Sequence, residues 1–233
     1  MRFAVESLLS PERVEAMRGA LLAEAACWRS GADTAGWHAR TVKHNRQLAQ
    51  DSPLHAELAQ QVREALLAHP LVAAAALPVR VHGLLFSRCG VGEGYGRHVD
   101  NAYMKEGRSD LSFTLFLSEP GSYAGGALML ETPAGEEPVR LSAGDAIFYP
   151  STLLHRVEPV RSGERLVAVG WIQSRVRHAD QRELLFELDT ARRALFAGQG
   201  DSQAAGGQDA ALPAEVFALI NRSYTNLLRR WGD

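Results

Sequence analysis

The block from residue 78 to residue 174 constrains the fold most, because it consists of short β-favouring runs separated by turn residues. Runs bounded by Gly, Pro, Ser and Asp are typical of strands. The predicted strands are Val79–Arg88, Gly94–Val99, Leu111–Leu117, Ala127–Glu131, Glu137–Leu141, Ala146–Tyr149, Leu153–Pro159 and Leu166–Ile172. We place hairpin turns at Gly125-Gly126 and Ser142–Asp145. About eight short strands in one block favour two sheets packed face to face, as in a sandwich or a jelly roll (double-stranded β-helix), with a ligand pocket between them.

Helical patterns precede this block. Ser10-Pro11 supplies an N-cap and a proline in the first turn, and apolar residues follow at helical spacing at Val14, Met17 and Leu21. A second helix follows Pro53 and stops at His69-Pro70, with its apolar positions at Leu54, Leu58, Val62 and Leu66. The predicted fold class is therefore α+β, with N-terminal supporting helices between residues 10 and 70.

A second helical region follows residue 174. Residues 197–211 are rich in Gly, Ala, Gln and Asp, which predicts a flexible linker. Pro213 then opens a helix with one broad apolar face, formed by Val216, Phe217, Ile220, Tyr224, Leu227, Leu228 and Trp231. This face either packs on the rest of the chain or forms a homodimer through the C-terminal helices. We predict a main domain over 1–177, with its jelly roll over 78–174, and a small C-terminal helical domain over 178–233.

Composition excludes several classes of protein. The net charge of −2 argues against a nucleic-acid-binding protein that neutralises many phosphates. Two cysteines, Cys27 and Cys89, cannot form a disulfide framework or a four-cysteine zinc site, and suit a reducing compartment. No run approaches the roughly 20 apolar residues that span a bilayer. We therefore expect a cytoplasmic protein without a membrane or nucleic-acid partner.

The segment from Gly92 to Asn101, GEGYGRHVDN, carries the chemistry. His98 and Asp100 are separated by one residue, so on a strand both side chains point to the same face, into the pocket. His155, in LLHRVEP, is the candidate third ligand from another strand. Two imidazoles and one carboxylate on one face of an octahedron leave open positions, which is the arrangement of non-haem Fe(II) oxygenases.

An H-x-D motif alone is a weak signal, since it is expected by chance in roughly one chain in three of this composition. The position of both halves on predicted strands of one block, and the presence of Arg165 ten residues after His155, strengthen it. Arg165 begins the strand RLVAVGWIQS, so its guanidinium can enter the pocket and bind a carboxylate with two parallel hydrogen bonds. Its competitor Arg161 lies in a predicted turn, Arg161–Glu164.

Beyond these spacings, the chain resembles the PKHD-type hydroxylases, in the prolyl-4-hydroxylase-like branch of the Fe(II)/2-oxoglutarate dioxygenases. The matching segments are YGRHVDNA, DLSFTLFLSEPGSYAGGAL, VRLSAGDAIFYPSTLLHRVEPVRSGERLVAVGWIQS and LLFELD. The resemblance implies Fe(II) on His98, Asp100 and His155, and the distal carboxylate of 2-oxoglutarate on Arg165. It implies hydroxylation of an unactivated C–H bond with release of succinate and CO2. It also implies L-ascorbate as an additional candidate cofactor.

One position departs from the family pattern. Where the family usually has a tyrosine that helps line the cosubstrate pocket, this chain has Cys89, which lacks a strong hydroxyl donor. Tyr95 is retained and is a candidate contact to the cosubstrate. Thr114, on the strand FTLFL, is a candidate for the same carboxylate as Arg165. Trp171 is interpreted first as core packing and second as pocket lining.

The substrate is left open between a peptide-like and a small-molecule, siderophore-related compound, because fold and cofactor do not select it. Two rival classes are also open. One is a non-catalytic metal- or 2-oxoglutarate-sensing jelly-roll protein linked to iron homeostasis. The other is a cupin-like metal isomerase, against which Arg165 argues because an isomerase of that type needs no anion-binding arginine in the pocket.

Overall fold

The structure, a computed structural model, describes residues 1–23, 27–34, 39–203 and 211–233. The helices in these residues are α1 (Pro11–Ala23), α2 (Pro53–Ala68), α3 (Pro70–Ala76), α4 (Ala179–Gln203) and α5 (Ala211–Trp231). The strands up to residue 108 are β1 (Phe3–Val5), β2 (Trp28–Ser30), β3 (Lys43–His44), β4 (Arg46–Leu48), β5 (Pro78–Cys89), β6 (Gly94–His98), β7 (Tyr103–Met104) and β8 (Gly107–Arg108). Those that follow are β9 (Leu111–Phe116), β10 (Tyr123–Gly125), β11 (Leu128–Thr132), β12 (Gly135–Val139), β13 (Ala146–Pro150), β14 (His155–Val157), β15 (Val160–Gly163) and β16 (Arg165–Ser174).

Two antiparallel sheets form the centre of the molecule. Within the described residues, the larger sheet has seven strands in the order β1-β13-β9-β16-β5-β4-β2, and the smaller has five in the order β12-β11-β14-β6-β3. Two further pairs, β10 with β15 and β7 with β8, form separate two-stranded sheets. This is the jelly roll of an α+β protein, so the predicted fold class is confirmed.

The larger sheet is covered on both faces, so residues on both faces of its inner strands are buried. In β9 all six residues are buried. Leu111, Phe113 and Leu115 pack into the core beneath the helices. Ser112 and Thr114, which alternate with them, line the internal cavity instead. Strand parity therefore assigns one face of the sheet to stability and the other to the site.

The N-terminal helices cover the outer face as the sequence predicts. Val14, Met17 and Leu21 of α1 are buried, as are Leu58, Val62 and Leu66 of α2. Together with Phe86, Phe113 and Phe148 of the large sheet they form one apolar cluster. Each fully buried side chain of this kind contributes roughly 1.5–3 kcal/mol relative to exposure. The helices thereby fix the floor of the cavity from behind.

Both predicted hairpin turns are wrong. Gly125-Gly126 carries the chain from β10, which pairs with β15, to β11 of the five-stranded sheet. Ser142–Asp145 leads from β12 to β13, which belong to different sheets, although the amide of Asp145 donates to the carbonyl of Ser142 as in a turn. Local turn residues show that the chain reverses, but they do not show which sheet receives the next strand. The hairpin in this region joins β11 to β12.

Three further predictions need correction. The flexible linker over 197–211 is wrong for residues 197–203, because α4 continues to Gln203; residues 204–210 lie outside the described residues. Pro70 ends α2 as predicted but also starts α3, since proline fits a first helical turn. The predicted turn at Arg161–Glu164 is largely strand β15.

The C-terminal helices pack against each other. The rings of Phe196 and Phe217 lie 5.7 Å apart, and the guanidinium of Arg192 lies 4.0 Å from the centroid of the Tyr224 ring. The apolar face of α5 is thus partly covered within the chain, while a homodimer through these helices and the domain boundary at residue 177 stay predictions. No helix of the described chain is both long enough and apolar enough to cross a membrane.

Gly94 provides a test of the contact between β6 and β14. A Cβ at this position would lie 2.8 Å from the carbonyl oxygen of Val157, which is backbone and cannot move aside cheaply. We expect Gly94→Ala to lower the free energy of unfolding by about 1–3 kcal/mol, as overpacking does. In Gly121→Ala the new methyl meets nothing within 4 Å, so it serves as the control. Urea unfolding measures both variants, and equal stability of the two would contradict this packing.

Candidate metal centre

Three predicted ligands converge where β6 and β14 meet. The antiparallel register of these strands sets His98 directly opposite His155, and Asp100 follows His98 by two residues. Nε2 of His98 lies 3.9 Å from Oδ1 of Asp100, and Nε2 of His155 lies 3.8 Å from Oδ2. One candidate ligand atom from each residue lies within 4.8 Å of the others, so the three surround a common point.

Backbone carbonyls orient both imidazoles. Nδ1 of His98 lies 2.8 Å from the carbonyl oxygen of Gly96, and Nδ1 of His155 lies 3.0 Å from that of Leu153. A carbonyl only accepts, so each Nδ1 carries a hydrogen and donates it. Each ring therefore presents Nε2 to the common point, which is the arrangement that metal-binding histidines adopt.

Two serines hold the carboxylate. The hydroxyl of Ser112 donates to Oδ2 of Asp100 at 2.5 Å, and the hydroxyls of Ser112 and Ser151 lie 2.8 Å apart. Both serines are buried. Hydrogen bonds to a ligating carboxylate are typical of the shell around a metal site. The large sheet, through Ser112 on β9, thus positions a ligand that the small sheet supplies.

Burial keeps His98 neutral. Removal from water, with the neighbouring His155 as a second cause, lowers the pKa of His98 from 6.5 to about 4. The ring of Tyr95 stacks on that of His98 with 3.6 Å between centroids, which covers one side of it. At neutral pH the imidazole is therefore in the form that binds a metal. Two imidazole nitrogens and one carboxylate with open positions fit a divalent iron ion.

Arg165 lies in the same cavity, and one of its N–H donors has no hydrogen-bond partner. Its side chain is 2% exposed, its Nε has no hydrogen-bond partner, and its guanidinium lies 5.6 Å from the centroid of the Phe116 ring. Among the described residues, no carboxylate lies within ion-pair distance of it. Buried polar groups are almost always paired, and a buried charge without a partner is costly. The arrangement indicates that an anion completes this part of the cavity.

The remaining predicted residues also line the cavity. Tyr95, Thr114 and Cys89 all do so, and Cys89 is the register partner of Arg165. Burial raises the pKa of the Tyr95 hydroxyl and of the Cys89 thiol, so both stay protonated. Thr114 shares a side-chain hydrogen bond with the buried Tyr149. Arg161, the competitor of Arg165, is exposed on β15.

Several cavity residues escaped the sequence analysis. The N-terminal segment contributes Lys43, Asn45 and Gln47. Burial lowers the pKa of Lys43 to about 8, and its Nζ lies 5.3 Å from the centroid of the Tyr95 ring. The polar residues at alternate positions 43, 45 and 47 were a signal of one strand face, but the segment was not predicted to be extended.

The cavity has a volume of about 740 Å³, within the range of small-molecule sites. Trp171 lines it, so the interpretation of this residue as core packing is wrong. The reason is parity: on β16 Arg165, Val167, Val169 and Trp171 share the cavity face. The hairpin of β7 and β8 contributes Met104, Lys105 and Glu106 to the same lining.

The low pKa of His98 predicts how the metal-free protein responds to acid. The unfolded chain takes up a proton on this residue near pH 6.5, whereas the folded chain does so only near pH 4. Stability is therefore lost as the pH falls from 6.5 towards 4, by about 1–2 kcal/mol between pH 7 and pH 5. Urea unfolding of chelator-treated protein at both pH values measures this loss. In His98→Asn the loss should be smaller; an equal loss would mean that other groups cause it.

Known proteins resemble this chain in sequence and in fold. The profile of the 2OG-Fe(II) oxygenase superfamily matches residues 84–173. A prolyl-4-hydroxylase of Pseudomonas putida superposes with a TM-score of 0.54 at 20% identity, over 75% of this chain and 92% of that one, which shows a shared fold. The matched residues 84–173 include His98, Asp100, His155 and Arg165.

Full-length relatives are more similar. A PKHD-type hydroxylase of Prochlorococcus marinus is 49% identical over 229 residues, which is 98% of both chains. A PKHD-type hydroxylase of Acaryochloris marina is 48% identical over 233 residues, which is 100% of both chains. At this identity over its whole length, the chain belongs to the PKHD-type hydroxylases, enzymes of the 2OG-Fe(II) oxygenase superfamily.

Proposed function

We propose that this protein hydroxylates an unactivated C–H bond of a peptide-like or small-molecule substrate and converts 2-oxoglutarate to succinate and CO2. The observation that carries the proposal is the cluster of His98, Asp100 and His155 in one cavity with Arg165, whose buried Nε has no hydrogen-bond partner. A metal site alone would suit many proteins. A buried, unpaired guanidinium in the same cavity calls for an anionic cosubstrate.

In this proposal His98, Asp100 and His155 hold Fe(II) through the two Nε2 atoms and a carboxylate oxygen. When bound, iron with 2-oxoglutarate and O2 supplies the oxidant for the C–H bond. The protein contributes geometry: Gly96 and Leu153 fix the imidazoles through their carbonyls, and Ser112 fixes the carboxylate. The ligands are therefore oriented before the metal binds, which lowers the cost of assembling the site.

Arg165 is proposed to bind the distal carboxylate of 2-oxoglutarate. Strand β16 sets it on the cavity face next to Cys89, and Phe116 lies under its guanidinium. Thr114 and Tyr95 are proposed as additional contacts to the cosubstrate, because both line the cavity near the three ligands. Protonated Tyr95 can donate a hydrogen bond where Cys89 cannot offer a strong one.

Further parts of the proposal concern cofactors and partners. L-ascorbate is proposed as a reductant that maintains the iron. A siderophore-related compound is one proposed substrate, and nucleic acid is not, given a net charge of −2. Cys27 and Cys89 form no disulfide within the described residues, which supports a reducing, cytoplasmic location. The exposed apolar residues Phe196 and Leu219 support a homodimer through α4 and α5.

The first test is turnover without a primary substrate. Protein loaded with Fe(II) under nitrogen and then given 2-oxoglutarate and air should release succinate, which mass spectrometry measures. His155→Ala and Asp100→Ala should each retain less than roughly a tenth of the iron after desalting, since breaking a metal-ligand set of this kind strongly weakens binding. His178→Ala, an exposed histidine outside the cavity, should keep both properties.

Two results would contradict the proposal. Full iron content in both ligand variants would show that the metal lies elsewhere. Binding of iron and 2-oxoglutarate without any succinate would instead support a sensor of metal or cosubstrate.

A second prediction concerns Arg165. Replacing it with methionine keeps an unbranched side chain but removes the guanidinium and its charge-assisted hydrogen bonds, each of which contributes about 1.5–3 kcal/mol. We expect the KM for 2-oxoglutarate to rise by roughly 10- to 100-fold, with a smaller change in kcat. Succinate release at varied 2-oxoglutarate measures both constants. Arg161→Met, on the exposed side of β15, is the control; an unchanged KM in Arg165→Met would remove Arg165 from the cosubstrate site.

A further inference from the structure

A second set of buried polar atoms in the cavity has no hydrogen-bond partner. Nδ1 of His82 and Nε1 of Trp171 are both buried without a partner, and both residues line the cavity. His82 is 0% exposed. Because buried polar atoms are nearly always paired, two such atoms on one wall indicate a position that a ligand occupies.

The chemistry of the two atoms is complementary. Nε2 of His82 lies 3.0 Å from the carbonyl oxygen of Arg108, so Nε2 carries a hydrogen and Nδ1 of the neutral ring is an acceptor. Nε1 of the Trp171 indole is only a donor. The wall thus offers one acceptor and one donor, and no charge. A primary amide or a cyclic amide presents an N–H and a C=O on the same edge and satisfies both, whereas an open-chain secondary amide is trans and presents them on opposite edges.

A β-bulge brings these residues together. Between the register pairs Leu85 with Val169 and His82 with Trp171, strand β5 has one residue more than β16. The extra residue is accommodated at Gly83, whose φ is +63°. A Cβ there would lie 2.5 Å from the Trp171 ring, so the indole packs directly on the glycine. The bulge places the side chain of His82 on the cavity face. In a strand with regular alternation it would point to the opposite face of the sheet.

The pair also lies next to the metal centre. Trp171 is flanked across the sheet by His82 on β5 and by Ser112 on β9. His82, Trp171 and Ser112 thus lie side by side on three neighbouring strands. Ser112 donates to Asp100, so this row of residues connects the His82 acceptor and the Trp171 donor to the proposed iron ligand. Neighbouring strands are about 4.8 Å apart. Arg165 lies six residues away along β16, near the other end of the cavity, so the proposed cosubstrate position does not overlap this row.

We propose that His82 and Trp171 bind one edge of a primary or cyclic amide of the primary substrate, with the amide N–H donated to His82 Nδ1 and the amide C=O accepting from Trp171 Nε1. The substrate class is therefore a compound whose oxidised C–H lies within a few bonds of such an amide. This inference rests on the proposed function for the reaction, but not for the binding of the amide.

The indole N–H of Trp171 gives a direct readout in metal-free protein. In 15N-labelled protein, the Trp171 signal is assigned by its loss in Trp171→Phe, a variant that keeps an aromatic ring beside Gly83. Titration with acetamide should shift this signal in a saturable manner. The indole of Trp28 already donates to the carbonyl of Leu21 at 3.3 Å, so its signal should stay and serves as the internal control.

Methyl acetate, which lacks the N–H, tests the role of His82. It should bind about fivefold more weakly than acetamide, as expected for one missing hydrogen bond. His82→Leu should bind both compounds equally, while its Trp28 signal and unfolding midpoint report whether it is folded. His82→Asn, with an amide acceptor, is the second variant and should partly restore the preference.

An immobile Trp171 signal, or equal affinity for the two probes in the unaltered protein, would overturn the inference. Both measurements omit iron and 2-oxoglutarate. A failure of succinate release with an intact indole response would therefore count against the proposed reaction and not against the amide site.

Discussion

The seven-stranded sheet with both faces buried is the constraint on which the other features depend. Its outer face packs on α1 and α2, and its inner face forms the floor of the cavity. Each central strand therefore alternates between a residue that stabilises the fold and a residue that lines the cavity. A slip of one residue would exchange the two sets. The apolar cluster on the outer face of the sheet, which includes Phe86 and Phe113, makes such a slip costly. It therefore also fixes which side chains line the cavity on the inner face.

The metal centre joins the two sheets. His98 and His155 come from neighbouring strands of the small sheet, while Ser112 of the large sheet holds Asp100. Burial and the mutual repulsion of the imidazoles keep the pKa of His98 near 4, so it is neutral at physiological pH. The backbone carbonyls that accept from Nδ1 leave only Nε2 for a metal. The ligand geometry is therefore a property of the folded chain itself.

The proposed positions of the cosubstrate and of the primary substrate lie at different places along strand β16. Arg165, at the start of β16, holds a buried charge that requires an anion, whereas Trp171, six residues later, holds an uncharged donor. In the proposed arrangement, this difference in charge places the cosubstrate at one end and a neutral amide at the other. The bulge at Gly83 creates the second end by turning His82 inward. Its glycine is required because of the positive φ and because the Trp171 ring packs on it.

The sequence by itself determined the α+β class, the approximate strands, the buried stripes of α1 and α2, and the candidates His98, Asp100, His155 and Arg165. Periodicity and strand parity suffice for these, since they are local. Only the tertiary structure decided which sheet receives the strands after Gly125-Gly126 and Ser142–Asp145, and that α4 runs through the predicted linker to Gln203. It alone placed His82 and Lys43 in the cavity, and it decided between the two interpretations of Trp171. A bulge reverses parity, and the pairing of distant strands is selected by burial across the whole sheet, so neither can be inferred from neighbouring residues.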